Sequence, residues 1–167
     1  MRGVSRAADH SKLSMAAAAA LAVTGGPTGR RAAAFGLVSV GLTSAVVNML
    51  AKPLSSRRRP DRAAERVAIA RQVRMPASTS FPSGHSAAAF AFATGVGHVM
   101  PRAAVPFRAL AALVAYSRVH TGVHYPGDTI GGALIGTLLA QIATHELERR
   151  RAPGSTALPG VQGARVR

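Results

Sequence analysis

Residues 32–51 form an uninterrupted apolar run without a charged side chain, AAAFGLVSVGLTSAVVNMLA. A helix of about 20 such residues spans the ~30 Å hydrocarbon core of a bilayer. Because a segment in lipid must pair its own backbone polar groups, a run of this kind favours a helical membrane architecture. This segment therefore limits the chain more strongly than any other feature of the sequence.

Further apolar segments occupy residues 13–24, 84–100, 103–117 and 129–144, and Ala and Gly dominate them. Small residues allow helices to approach closely in lipid. The sequence predicts an all-α fold, an integral membrane bundle of about five transmembrane helices. Residues 13–24 are short for a crossing, and the preceding basic residues leave a signal peptide as an alternative. Arg108 indicates either a functional group within the fourth segment or a helix that begins near Ala109.

The formal net charge of +15, from 21 Lys and Arg against 6 Asp and Glu, indicates an anionic partner. The basic residues cluster at the ends of apolar runs, as in membrane proteins. They lack the interleaved aromatic residues of a single-strand nucleic-acid binder. The sequence therefore predicts the membrane bilayer as a partner and no nucleic acid.

The chain divides into a predicted membrane domain, residues 1–147, and a basic tail rich in Gly and Pro, residues 148–167, predicted to be disordered. The connector at residues 52–82 is basic and predicted to be partly helical. Its DRAAERVAIARQV stretch has helical spacing and suits either a surface helix or a solvated link. Arg57 and Arg58 are predicted to be membrane-surface charges, and Asp61 and Glu65 to be intra-loop partners of Arg62 and its neighbours.

Three polar clusters interrupt the apolar pattern: KPLSSRRRP at 52–60, PSGH at 82–85 and SRVHTGVHYPGD at 117–128. If each helix crosses once, all three clusters emerge on the same side of the bundle. Lys52, Arg59 and Arg118 would then meet, and a multiply charged anion between them would remove their repulsion. Guanidinium groups and a helix N-terminus both suit phosphate.

The two histidines of these clusters can supply the chemistry. His124 lies four residues before Asp128, within reach of an orienting carboxylate. A histidine held in this way can attack phosphorus. The other, His85, can protonate the leaving oxygen and later activate water. The spacing predicts phosphoryl transfer supported by a cationic cup.

The sequence predicts neither a cofactor nor a metal site. It contains no cysteine, so thiolate ligands are excluded. His120 and His124 have the i,i+4 spacing of half a zinc site, but no HExxH motif accompanies them.

The three clusters resemble the signature of the type-2 phosphatidic-acid phosphatase superfamily, membrane lipid phosphatases related to vanadium haloperoxidases. That signature is Lys, six residues, Arg-Pro; Pro-Ser-Gly-His; and Ser-Arg, five residues, His, three residues, Asp, which the chain matches over residues 52–128. The resemblance implies that His124 is the nucleophile, Asp128 its orienting group and His85 the general acid. It further implies phosphate binding by Lys52, Arg59, Ser83, Gly84 and Arg118, without a metal.

The expected function is hydrolysis of a lipid phosphate in the bacterial plasma membrane. Candidate substrates are phosphatidic acid, phosphatidylglycerol phosphate, a polyprenyl phosphate or diphosphate, and decaprenylphosphoryl phosphoribose 5-phosphate. The alternative is a non-catalytic basic membrane protein that binds anionic lipid. The motifs recognise phosphate alone, so the identity of the lipid stays open. The sequence also leaves open the oligomeric state and the side of the membrane on which the active site lies.

Overall fold

The computed structural model describes residues 1, 3, 4 and 11–151, and residues 11–151 contain five α-helices and no strand. The helices are α1 (Lys12–Thr24), α2 (Gly26–Val46), α3 (Gly84–Val99), α4 (Pro101–His120) and α5 (Pro126–Arg151). A π-helical segment, Val47–Ala51, continues α2 as far as Lys52. The predicted all-helical class is confirmed. Arg108 lies inside α4 and is exposed, so this helix begins before it.

Helix α3 lies at the centre and packs against α2, α4 and α5, while α1 packs against α2. Glycines allow the closest approaches. A Cβ built on Gly95 of α3 would lie 2.6 Å from the Phe35 carbonyl oxygen of α2. Nearer the N-terminus of α3, a Cβ on Gly136 of α5 would lie 2.1 Å from the Ala87 carbonyl oxygen. The absence of side chains at these points brings the helix backbones together.

The combined helix Gly26–Ala51, 26 residues long, is the one helix among the described residues that is both long and apolar enough to cross a membrane. Helix α1 is apolar but shorter. Length and composition therefore support one of the five predicted crossings directly.

The basic connector folds back over one end of the bundle. Its regular structure is limited to turns and a 3₁₀-helix at Ile69–Arg71, so the surface helix considered for this stretch does not form. Arg62 donates from Nη2 to the Val73 carbonyl (2.7 Å) and from Nε to the Gly122 carbonyl (3.4 Å). Asp61, predicted as an intra-loop partner of Arg62 and its neighbours, accepts through Oδ1 from the amide of the adjacent Ala63 (2.9 Å). This segment is therefore held by tertiary hydrogen bonds and not by the hydrogen bonds of a local helix.

The opposite end of the bundle carries a second polar cluster. Glu148 of α5 forms an ion pair with Arg31 of α2 and contacts His98 of α3 at 3.2 Å. His98 stacks on Phe35 with the ring centroids 5.5 Å apart. Helix α5 thus extends four residues into the segment predicted as a tail, and residues 152–167 lie outside the described part of the chain.

Candidate active site

The structure brings the three polar clusters together at the end of the bundle where α3 begins and α4 ends. The Ser83 amide donates to the Asp128 carbonyl (2.9 Å), which joins the start of α3 to the turn before α5. The Arg57 carbonyl accepts from the Ser80 amide (2.9 Å), which ties the connector to the segment before α3. The convergence expected from the order of the helices is therefore present.

The N-terminus of α3 forms the floor of the site. Ser83 is its N-cap and its buried Oγ faces the Ser86 amide at 3.5 Å. The Lys52 ammonium lies over this terminus, 3.6 Å from the position of a Cβ on Gly84. Burial, and then the charge of Arg59, lowers the pKa of Lys52. A cation beside the positive end of a helix indicates a place for an anion.

Arg59 forms the side of the site and is held by backbone carbonyls. Its Nε donates to the Ser78 carbonyl (2.8 Å) and its Nη1 to the Val123 carbonyl (2.8 Å). The Ser78 hydroxyl accepts from both Arg59 Nη2 (3.2 Å) and Lys52 Nζ (3.3 Å). A neutral hydroxyl oxygen therefore lies between two cations, where a phosphate oxygen would be bound more strongly.

His124 lies against this cup and is 3 % exposed. Its Nε2 is 3.2 Å from Arg59 Nη1, and its Nδ1 is 3.6 Å from Asp128 Oδ2. The pKa of His124 falls to about 3, because burial and the charges of Arg59, Arg118 and His85 outweigh Asp128. The ring is therefore neutral near pH 7, and its Nε2 lone pair faces the cationic side of the site.

Asp128 is fully buried behind His124. Its Oδ2 accepts from the Tyr125 amide (2.9 Å) and from the Ser80 hydroxyl. The distance from Oδ2 to His124 Nδ1 exceeds that of a hydrogen bond, so a small adjustment is needed to close this contact.

Arg118 and His85 complete the group of residues predicted from the sequence. Arg118, near the end of α4, is 2 % exposed, and its carbonyl accepts from the Val123 amide (3.1 Å). His85 follows Gly84 in the first turn of α3. Both lower the pKa of His124 electrostatically. All eight predicted site residues therefore lie in one region: Lys52, Arg59, Ser83, Gly84, His85, Arg118, His124 and Asp128.

Sequence reasoning missed three residues of this region: Arg57, Ser78 and Ser80. Arg57 was expected at the membrane surface, yet its Nη1 forms an ion pair with Asp128 Oδ1 at 3.1 Å. The expectation did not include this contact, which forms because the connector folds over the site; Arg57 and Arg58 are both exposed, and only Arg57 reaches Asp128. The two serines carry no local signal, since their contacts depend on the folded connector.

Two adjoining apolar crevices lead away from the site between α1, α3 and α4. They are narrow, with a cavity volume of about 20 Å³ each, and they share Leu13, Ser14, Ala89 and Val114. His85 lines the crevice nearer the site, and Phe92 and Leu110 line the more distant one. An apolar path therefore begins at a titratable group of the site.

Comparison with known proteins gives one family. The family model of the PAP2 superfamily matches residues 32–152. A Rhizobium etli lipid A 1-phosphatase is 44 % identical over 57 residues, covering 34 % of this chain and 25 % of that protein. A Mycobacterium tuberculosis decaprenylphosphoryl-5-phosphoribose phosphatase is 37 % identical over 100 residues, covering 58 % of this chain and 51 % of that protein. The chain thus spans about half or less of these relatives.

A solved structure agrees with this grouping. The transmembrane PAP2-type phosphatidylglycerolphosphate phosphatase of Bacillus subtilis aligns with a TM-score of 0.63 and 26 % identity. The alignment covers 89 % of this chain and 75 % of that structure. The likeness therefore includes most of the helical bundle as well as the motif region.

Proposed function

Because the chain belongs to the PAP2 superfamily, we propose that it is a membrane-embedded phosphatase that hydrolyses a lipid phosphate through a phosphohistidine. The observation that carries the proposal is the position of His124. A buried, neutral ring directs Nε2 towards Arg59, with Asp128 behind Nδ1. Such a ring is a nucleophile aimed at an anion site.

In the proposed first step, His124 Nε2 attacks phosphorus and forms an N–P bond while the P–O bond to the lipid breaks. His85 gives its proton to the departing lipid oxygen. Lys52, Arg59 and Arg118 stabilise the charge on the other phosphoryl oxygens, together with the α3 N-terminus. No metal ion is required, because the side chains supply the positive charge.

In the second step, water attacks the phosphorus of phosphohistidine and gives its proton to His85. The N–P bond breaks, its electron pair returns to Nε2, and inorganic phosphate leaves. Asp128 orients the ring and balances its positive charge while the phosphoryl group is attached. The enzyme is then restored for another substrate molecule.

The apolar crevice supports a lipid as the substrate. The phosphate would lie at the helix ends near headgroup depth, and the hydrocarbon tail would run from His85 between α1 and α4. The five helices would form the membrane bundle, as in the transmembrane Bacillus subtilis structure. We include phosphatidylglycerol phosphate, phosphatidic acid, polyprenyl phosphates and decaprenylphosphoryl phosphoribose 5-phosphate as candidates.

Phosphate release from a panel of these lipids in detergent tests the proposed function. We expect release from at least one of them, undiminished by EDTA and inhibited by vanadate, which resembles the transferring phosphoryl group. Loss of activity with EDTA would contradict the metal-free mechanism. Salt-sensitive binding of anionic lipid without phosphate release would instead support the non-catalytic alternative.

Replacing Ala89 with phenylalanine tests the tail crevice separately from the chemistry. Ala89 lines both parts of the crevice, so a phenyl ring there fills the space of a hydrocarbon chain. We expect kcat/KM for long-chain lipid phosphates to fall about tenfold or more, since each buried CH₂ contributes roughly 0.8 kcal/mol. Hydrolysis of a short-chain soluble phosphomonoester should change less than twofold.

The control variant is Ala19→Phe, because Ala19 lies on the exposed face of α1. Equal losses with the long-chain and short-chain substrates in Ala89→Phe would contradict a tail site.

A further inference from the structure

Arg57 lies outside the residues that the sequence motif assigns to phosphate, yet it reaches the buried carboxylate of the site. Its Nη1 is 3.1 Å from Asp128 Oδ1, and its guanidinium lies over the Tyr125 ring, 4.7 Å from the centroid. The side chain is 47 % exposed, whereas Asp128 is fully buried. The Arg57 side chain therefore extends from solvent to the buried carboxylate that lies behind His124.

We propose that Arg57 is a positioning residue that keeps the His124–Asp128 pair in its proton-poor state and holds the carboxylate in register behind the ring. The proposal rests on the proposed function for its catalytic meaning. Arg57 acts through Asp128 and does not touch the substrate.

The contacts of Asp128 show why a cation is needed there. Oδ2 accepts from two neutral donors, the Ser80 hydroxyl and the Tyr125 amide. Oδ1 contacts Arg57 as an ion pair without the alignment of a hydrogen bond. A buried carboxylate that loses its cation binds a proton more readily, either on itself or on the histidine it faces.

The other charged and titratable groups around the pair come from three elements. They are Lys52 and Arg59 of the connector, His85 of α3 and Arg118 of α4. In the proposed reaction these groups meet a phosphate, whose negative charge offsets theirs. Arg57 contacts the carboxylate instead, so its effect on the pair persists when the phosphate is bound.

The kinetic test compares Arg57→Gln with wild type over pH 2.5–9, a range that includes the pKa of His124 at about 3, using the same lipid phosphate. Removal of the positive charge should move the acid limb of kcat towards higher pH by about one unit, because an adjacent opposite charge shifts titration by 1–3 units. At pH 7, which lies above the acid limb of both enzymes, we expect kcat to fall about 10-fold to 100-fold because Asp128 is no longer held in register behind His124, with KM changed less than twofold. The substrate titrates in the same way with both enzymes, so its effect cancels in the ratio of their kcat values at each pH.

Two further variants separate the charge from the fold. Arg58→Gln removes a neighbouring exposed arginine and should retain the wild-type kcat and acid limb. Arg57→Lys keeps the charge and should retain the limb while lowering kcat, since lysine cannot reproduce the planar stacking on Tyr125. An acid limb that stays in place in Arg57→Gln, or moves equally in Arg57→Lys, would overturn the proposal. A raised KM alone would assign Arg57 to phosphate binding instead.

A direct titration makes the inference independent of turnover. The ¹⁵N signals of His124 in detergent, assigned with a His124→Asn variant, should titrate at higher pH in Arg57→Gln than in wild type. If wild type releases no phosphate from any lipid, the proposed function fails while this measurement still decides the role of Arg57. An unchanged titration would overturn that role even in an active enzyme.

Discussion

Replacing His124 with alanine is expected to reduce phosphate release by a factor of at least about 10⁴. Removal of a catalytic nucleophile lowers kcat by a factor on the order of 10⁶ in well-studied hydrolases. The binding groups that remain still accelerate the reaction relative to the reaction in water. We expect a similar residual acceleration here, because Lys52, Arg59 and the α3 N-terminus remain in place without the imidazole. Initial rates on the best lipid of the panel measure the loss.

The control for this variant is His120→Ala. His120 ends α4 and packs near Tyr116, with the ring centroids 5.7 Å apart, and it is not one of the residues that the signature specifies. We expect its rate to stay within about tenfold of wild type. Wild-type enzyme quenched during turnover should carry alkali-stable, acid-labile phosphate that is missing from His124→Ala. A fully active His124→Ala would exclude the phosphohistidine.

Replacing Gly136 with alanine is expected to cause the largest loss of stability. The added Cβ would lie 2.1 Å from the Ala87 carbonyl oxygen, 2.8 Å from its carbon and 2.9 Å from its Cα. These are backbone atoms of the central helix and cannot rotate away, so α5 must move from α3. Overpacking in a core costs about 1–3 kcal/mol, and a backbone clash lies at or above the upper end.

The matched control is Gly41→Ala on α2, where no atom lies within 4 Å of the new Cβ. It should be neutral or stabilising, since alanine is favoured over glycine in a helix by up to about 1 kcal/mol. The fraction that stays monodisperse in detergent after heating measures both variants. A Gly136→Ala protein as heat-resistant as Gly41→Ala would show that the α3–α5 contact is looser than described.

The helices could be predicted from sequence because their apolar segments are long and local. The site residues could be found because the motifs combine an uncommon set of residue types with fixed spacing. The surface helix considered around Arg62 does not form. The Arg62 side chain instead donates to the carbonyls of Val73 and Gly122. Helical spacing records only local preference, and these contacts join residues distant in the chain.

The contact between Arg57 and Asp128 is likewise a feature that local sequence patterns do not reveal. Three consecutive arginines, 57–59, look equivalent in the sequence, and only the path of the connector distinguishes them. Arg59 reaches His124, Arg57 reaches Asp128, and Arg58 remains exposed. The π-helical segment before Lys52 is a further feature without a sequence signal, and it sets where the connector leaves α2.

The bond between the Ser83 amide and the Asp128 carbonyl has an evolutionary consequence. It joins the starts of α3 and α5, and the end of α4 also holds the site, because the Arg118 carbonyl accepts from the His124 amide (3.3 Å). Helix α1 lines the crevice and supplies none of the eight site residues, so mutations in α1 can alter which hydrocarbon fits without changing the distance between the histidines. Because the polar site and the crevice wall lie on different parts of the bundle, one ancestral bundle would be able to diversify into enzymes for chemically unrelated lipids.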